Sequence, residues 1–423
     1  MDRRTFLRGL ACSSLGLAGC GYFRIDPMHV LIRSDTILSL DEEAAILKKA
    51  KVSRTTDGRI TVLYTRGTPY ERGYQHGVLL RDEVQENLTA LYDGLKARYH
   101  FEELFYEAFE RMRPFIPEEY MEEMHGLAHG ARLPINLVHA VHAIPSISEW
   151  GGKKHLKDVV EKMMDGSLGT SCSNFAFKGK SSADGRMYAV RVLDWGIYKL
   201  SKLHKYPLIQ VGVPDKGLAF ANIGWVGFIG AVSGMNAAGI TLGEKGYGDP
   251  EGETLRGEPM PFMLRDVLSQ AHNLRDVERI IRTSKGDCSY VFLMSDGKTG
   301  EAELFIKDAH RFKVFKPGEP VRDGKKNLPA IPEIVWDGHY EEALASELTT
   351  RSGHLEPSVI MSEMVPKIAM PGNFQNVIYE PGRLQFWVNN AKSPKERAAE
   401  QPFTFFNFGA ELAAFEGKVA GRP

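Results

Sequence analysis

One cysteine, Cys172, lies among small residues in Gly169-Thr170-Ser171-Cys172-Ser173. A cysteine attacks as its thiolate, and it needs a base, an orienting group and a stabiliser for the oxyanion. Two polar groups follow one strand later, in Arg191-Val192-Leu193-Asp194-Trp195. No histidine stands in a motif-like setting: His204, His272, His310, His339 and His354 sit in ordinary surroundings. Another base becomes available if the chain is cut between Ser171 and Cys172. The freed α-amine of Cys172 would titrate at about 7.7–8.0, close to working pH. One residue then supplies both nucleophile and base. Gly169-Thr170-Ser171 is small and suits a strained turn. The thiol could attack the Ser171 carbonyl, take the acyl group onto sulfur and lose it to water.

The elements that must position these groups can be read from the pattern around them. Apolar runs at 174–177 and 187–192 flank the polar turn Ser182-Ala183-Asp184-Gly185, which predicts a hairpin that delivers Arg191 and Asp194 beside the cysteine. Upstream, Val84, Leu88, Leu91 and Leu95 recur at helical spacing. Helix continues over 101–130, with breaks at Pro114 and Pro117. A short strand is expected at 59–64. Histidines 76, 125 and 129 read as structural or surface residues. Residues 151–168 read as a solvated connector. Downstream, strands are expected at 208–213, 218–223, 240–242, 290–294, 302–306, 311–315, 377–379, 384–388 and 404–408, with helices at 261–271 and 276–282. The stretch 234–239 reads as a turn, with Asn236 tolerating a positive φ. Strands, then helices, then strands imply sheets covered by helices rather than a βαβ repeat.

Composition narrows the function classes. The 423 residues are 43% hydrophobic and 25% charged, with a net charge of −1, which argues against a nucleic-acid binder. No GxGxxG, P-loop, HExxH or CxxC motif is present, so neither a nucleotide cofactor nor a metal is expected. The amino terminus, Asp2-Arg3-Arg4-Thr5-Phe6-Leu7-Arg8, resembles a twin-arginine export signal. The apolar run after it is too short to span a bilayer as a stable helix, and it ends in Leu17-Ala18-Gly19-Cys20, which resembles a bacterial lipobox. Residues 1–19 are therefore expected to leave as a signal peptide, with Cys20 lipidated and 20–55 serving as a tether. The expected location is the cell envelope, on the periplasmic side. Of four cysteines, Cys172 and Cys288 then remain, and a disulfide between them is the bland alternative in an oxidising compartment.

Over residues 60–415 the chain resembles the cysteine-type N-terminal-nucleophile hydrolases. Its closest likeness is to the acyl-coenzyme A:6-aminopenicillanate (isopenicillin N) acyltransferase family. Choloylglycine hydrolases, penicillin V acylases and acid ceramidase are more distantly similar. The resemblance is carried by Tyr70-Glu71-Arg72-Gly73-Tyr74-Gln75-His76-Gly77, by Ser171-Cys172-Ser173-Asn174-Phe175, and by Arg191 to Trp195. Gly234-Met235-Asn236-Ala237-Ala238-Gly239-Ile240 and Asn376-Val377-Ile378-Tyr379-Glu380-Pro381 add to it. The chain also departs from the family. Around Glu244-Lys245-Gly246 it lacks the asparagine that helps form the oxyanion hole in the bile-salt and penicillin V branch. Asp337-Gly338-His339 stands near that branch's later Thr-Asn pair.

The resemblance implies an α+β fold, a four-layer αββα sandwich with a mostly helical propeptide. It implies a cut before Cys172 that leaves a small chain ending at 171 (helical over 56–171) and a catalytic domain over 172–423, the two staying associated. Carried over by position, Cys172 is the nucleophile, Asp194 holds its α-amine, and Arg191 favours the thiolate and is available to a substrate carboxylate or carbonyl. The implied activity is hydrolysis or acyl transfer at a linear amide through a Cys172 thioester, on a small-molecule N-acyl substrate and without a cofactor. An esterase or phospholipase on the same fold and a non-catalytic lipoprotein with a Cys172–Cys288 disulfide are the alternatives.

Overall fold

The structure, a computed structural model, describes residues 38–99, 102–150, 172–249, 252, 254–324 and 326–420. The signal segment, Cys20, the connector at 151–168 and the expected cut at Ser171 lie outside the described residues.

Before Cys172 the chain forms α1 (Leu40–Leu47), β1 (Lys51–Arg54), β2 (Thr61–Gly67), α2 (Pro69–Leu79), α3 (Arg81–Tyr99), α4 (Glu102–Met112), α5 (Glu118–Ala131), α6 (Ile135–His142) and α7 (Ile144–Glu149). Local chemistry fixes the entry to α2. Thr68 accepts from the Glu71 N–H, Glu71 reaches back to the Thr68 N–H, and Pro69 opens the first turn. The four α3 positions expected to share a face are all buried. Gly73 of α2 lies hard against α5, where a Cβ would come 1.9 Å from the Glu123 carbonyl oxygen. The two helices therefore pack backbone to backbone, which accounts for the glycine inside the Tyr70 to Gly77 motif.

After Cys172 come β3 (Ser173–Gly179), β4 (Gly185–Asp194), β5 (Pro207–Pro214), β6 (Phe220–Trp225), β7 (Ser233–Asn236), β8 (Ile240–Gly246), α8 (Met260–Gln270) and α9 (Leu274–Thr283). Next are β9 (Tyr290–Asp296), β10 (Glu301–Lys307), β11 (Phe312–Phe315), β12 (Val321–Asp323), β13 (Lys326–Leu328), β14 (Ile334–Asp337) and α10 (Glu341–Thr350). A broken helical stretch at 357–368 leads to β15 (Asn373–Glu380), β16 (Gln385–Asn390), β17 (Thr404–Asn407) and α11 (Phe408–Ala420).

The expected α+β layering is what the structure has. A nine-stranded sheet runs β1-β2-β5-β6-β7-β8-β9-β10-β11, and a six-stranded sheet runs β14-β3-β4-β15-β16-β17. All ladders are antiparallel except β2 with β5, which is parallel. One apolar core joins the sheets to the 341–368 helices, through residues such as Tyr64, Val211, Met235, Leu293, Val190, Val377, Leu344 and Val365. The other joins the nine-stranded sheet to the amino-terminal helices and α8, through Leu88, Phe109, Met124, Phe220, Leu242 and Leu264.

Three expectations change. Residues 51–54, read as part of the tether, form β1 and pair with β2 in the nine-stranded sheet, β2 itself being the strand expected at 59–64. Positions 234–236 belong to β7 rather than to a turn, and the positive φ falls on Gly239 (84°), not on Asn236. Asn236 instead frames the turn: its Oδ1 accepts from the Ala238 and Ile240 N–H groups, both at 3.0 Å, and its Nδ2 donates to the Ala271 carbonyl. Strand β14 and helices α10 and α11 carry no strong period in the sequence and emerge only with the fold.

Candidate active site

The hairpin of β3 and β4 sets the site by register. Ser173 lies opposite Val192 and Asn174 opposite Arg191, so Cys172, one residue earlier, falls level with Leu193. Cys172, Asn174 and Arg191 thus share one face of the six-stranded sheet, the face turned to the nine-stranded sheet. That approach is close. A Cβ on Gly243 of β8 would lie 2.9 Å from Asn174 Oδ1 and 3.4 Å from the Arg191 side chain, so this position needs its missing side chain.

The Cys172 thiol is free and fully buried. Burial pushes its pKa well up, the carboxylate of Glu244 pushes it further, and Arg191 and the backbone N–H of Asp194 pull the other way. Arg191 is itself buried. It forms an ion pair with Glu244 and donates to Ser233 Oγ at 3.1 Å, and Ser233 donates in turn to Gln375 Oε1 at 2.9 Å. Burial raises the Glu244 carboxyl and Arg191 opposes that rise.

Asp194 is held differently. Its Oδ1 accepts from the Met370 N–H at 3.1 Å and from Asn373 Nδ2 at 2.9 Å. Asn373 exchanges two hydrogen bonds with Asn376, which in turn donates to Asn389. Asp194 Oδ2 is buried and has no partner. Burial pushes this carboxyl up to about 7, against the pull of Asn373 and Met370.

The sequence placed Arg191 and Asp194 side by side. The structure puts Arg191 on the face of Cys172 and the backbone N–H of Asp194 at the thiol, and it gives the two side chains separate partners. Residues three apart on a strand point to opposite faces, so the two cannot meet in a regular ladder. Ser233, Asn373 and Gln375 were not expected at the site, and Glu244, read only as standing where an oxyanion asparagine is missing, was not expected to pair with Arg191. Their one visible signal is polarity where a strand should be apolar: Glu244-Lys245 ends β8, and three amides crowd Asn373-Phe374-Gln375-Asn376.

A second charged group adjoins the site. Asp337, at the end of β14 and level with Asn174, accepts at Oδ1 from Lys326 Nζ at 2.6 Å and Lys245 Nζ at 3.4 Å. Burial lowers the Lys245 ammonium, with Asp337 opposing. Cys172 and Cys288 form no disulfide, which corrects the bland alternative: the Cys288 thiol is turned onto the Ser146 carbonyl at 3.3 Å. The buried histidines belong to the scaffold. His76 Nε2 accepts from the Gly227 N–H at 2.9 Å and His142 Nε2 from the Ile229 N–H at 3.1 Å. Among the described residues, no group of three or more His, Cys, Asp or Glu side chains is placed to hold a metal ion, and no helix is long and apolar enough to cross a membrane.

No family model matches the chain. An uncharacterised protein of Archaeoglobus fulgidus is 26% identical over 268 residues, which is 57% of this chain and 42% of that protein. The chain thus spans less than half the length of this relative. Protein dcd1A of Dictyostelium discoideum is 21% identical over 371 residues, 79% of each chain. Three solved structures are similar at 12–13% identity. The Caenorhabditis elegans N-acylethanolamine-hydrolyzing acid amidase ortholog matches 50% of this chain and 93% of its own, with a TM-score of 0.35. A mutant conjugated bile acid hydrolase from Clostridium perfringens matches 56% and 93%, with a TM-score of 0.33. Penicillin V acylase from Agrobacterium tumefaciens matches 52% and 83%, with a TM-score of 0.30.

Proposed function

We propose that this chain is a self-processing amidohydrolase whose nucleophile is Cys172 and whose base is the α-amine freed by a cut before that residue. The observation that supports this most is the empty oxygen of Asp194. A buried carboxylate oxygen without a donor is costly, and a group that arrives with function is one way to satisfy it. Cleavage would create a donor at the neighbouring residue, since the Cys172 α-amine becomes an ammonium able to pair with Asp194. The intact peptide bond offers no such charge.

The chemistry then balances without a cofactor. In processing, Cys172 Sγ attacks the Ser171 carbonyl carbon, the Ser171–Cys172 C–N bond breaks, and the nitrogen leaves as a free amine. Water hydrolyses the resulting ester of sulfur and releases the Ser171 carboxylate. In turnover, the α-amine takes the thiol proton, the thiolate attacks the substrate amide carbon, and the ammonium returns that proton to the leaving amine. Water, deprotonated by the α-amine, then attacks the thioester, and the acid departs as the thiol is restored. Arg191 opposes the effect of burial on the thiol and so favours the thiolate. Glu244 and Ser233 fix the guanidinium. An amine in place of water would make the same site an acyltransferase. Export and lipidation at Cys20 would place this activity in the cell envelope.

Intact mass and amino-terminal analysis of the purified wild-type protein test the reading. Two associated chains, the second beginning at Cys172, are expected. A single uncut chain that nevertheless hydrolyses N-acyl amides would remove the α-amine from the mechanism. Matched amide and ester chromogenic substrates separate an amidase from an esterase.

A further inference from the structure

The site as described lacks an identified donor for the oxyanion. The asparagines near it are almost all engaged. Asn236 donates to Ala271, Asn373 to Asp194 and Asn376, and Asn376 to Asn373 and Asn389. Asn174 is different. It is fully buried, and neither its Nδ2 nor its Oδ1 has a partner. Among the described residues no other buried side-chain amide lacks partners at both ends. It lies two residues after Cys172 on the same strand face, about 7 Å along the strand. The bare backbone of Gly243 leaves it room.

An apolar residue of the same shape would cost less at this position, because a buried amide without partners forfeits its hydrogen bonds to water for nothing. We infer that Asn174 is a catalytic residue whose Nδ2 donates to the oxygen of the tetrahedral intermediate formed at Cys172. This assignment rests on Cys172 being the nucleophile, and it supplies a side-chain amide donor where Glu244-Lys245-Gly246 has no asparagine.

The test compares wild type with Asn174→Leu, close to isosteric, and with Asn174→Ala. Three readings are taken on each: melting temperature, hydrolysis of N-acyl p-nitroanilides, and the rate of Cys172 alkylation by iodoacetamide. Alkylation displaces iodide at a saturated carbon and forms no oxyanion. Asn174→Leu is expected to melt at or above wild type, alkylate within about threefold of it, and lose about 10²–10³ in kcat with KM little changed. A kcat within threefold of wild type would overturn the assignment. So would a parallel loss of alkylation and hydrolysis, which marks a structural role; slower cutting of a normally melting variant agrees with the assignment, because processing passes through a tetrahedral intermediate at the same sulfur. If Leu packs badly and lowers the melting temperature, Asn174→Ala decides by the same ratio of hydrolysis to alkylation. If wild type itself cuts no amide while its thiol alkylates, the proposed function fails first and this assignment with it.

Discussion

Two carboxylates, each deeply buried and each within reach of arginine, are treated in opposite ways. Glu123, on α5 in the helical layer, has both oxygens taken, one by Arg72 at 2.8 Å and both by Arg265, including a contact at 3.0 Å. Burial would raise its carboxyl, but the two guanidiniums win and hold it below the ordinary range. Asp194 keeps one oxygen empty, has only neutral donors on the other, and stays raised. The first arrangement is closed and ties α2, α5 and α8 into one body. The second is open, and its empty oxygen is the place that the proposed α-ammonium of Cys172 would fill. Asp337 lies between the two: its Oδ2 is also unpartnered, but its Oδ1 is taken by the Lys326 and Lys245 ammoniums.

The sharpest way to break this contrast is Cys172→Ala. It should abolish both the cut and the activity and leave the melting temperature near that of the precursor; a normally cut variant, seen by mass, would end the self-processing reading. Asp194→Asn keeps the shape and removes the charge. Processing followed by gel should slow by about 10²–10⁴-fold, in line with the loss of an orienting carboxylate elsewhere. Wild-type rates would take Asp194 out of the site. Glu123→Ala should do the reverse, costing about 3–5 kcal/mol in denaturant titration, because two buried guanidiniums lose their counter-ion, while activity per folded molecule is kept.

The pH dependence should separate the regions by sign. His76 and His142 are pushed down to about 4 by burial, from 6.5. Between those values the unfolded chain binds more protons, so their stabilisation is full above pH 6.5 and is lost as pH falls towards 4. Asp194 moves the other way, from 3.8 up to about 7. Its contribution in the uncut chain is full below pH 3.8 and is lost as pH rises through 7. Melting curves of Cys172→Ala against pH should therefore have a shallower acid limb on adding His142→Gln, His76 keeping its share, and a shallower fall above pH 6 on adding Asp194→Asn. The smallest effect is expected at Glu244→Gln. Removing a negative charge beside the thiol should shift the alkylation profile of Cys172 to lower pH and lower turnover by roughly tenfold, as Arg191 loses its clamp; an unmoved profile would deny Glu244 its influence on the thiol.

Much of the site was legible because it is local. Cys172, Arg191 and Asp194 lie on one hairpin, whose turn and alternation can be read directly, and the register that aligns them follows from the turn. What was not legible depends on sheet order. Glu244 reaches Arg191 only because the two sheets face each other, and Asn373 reaches Asp194 only because β15 crosses over to lie beside β4. Arg191 and Asp194 take separate partners for a local reason, the two-residue repeat of a strand. Asn174 was read as part of a motif, and only its unpaired amide distinguishes it.

The parallel pairing of β2 with β5 bears on the order of events in the life of the chain. Strand β2 is made early and cannot dock until β5, far beyond Cys172, has been synthesised. The Gly227 loop that His76 holds arrives later still. Cys172 packs in the same apolar core as Leu63, Leu208 and Val226, so its surroundings are complete only when both have closed. On the processing proposed above, cleavage would report finished assembly: a ribosome-bound or misfolded chain would have no means of cutting itself, and a new amino terminus at Cys172 would record that folding came first.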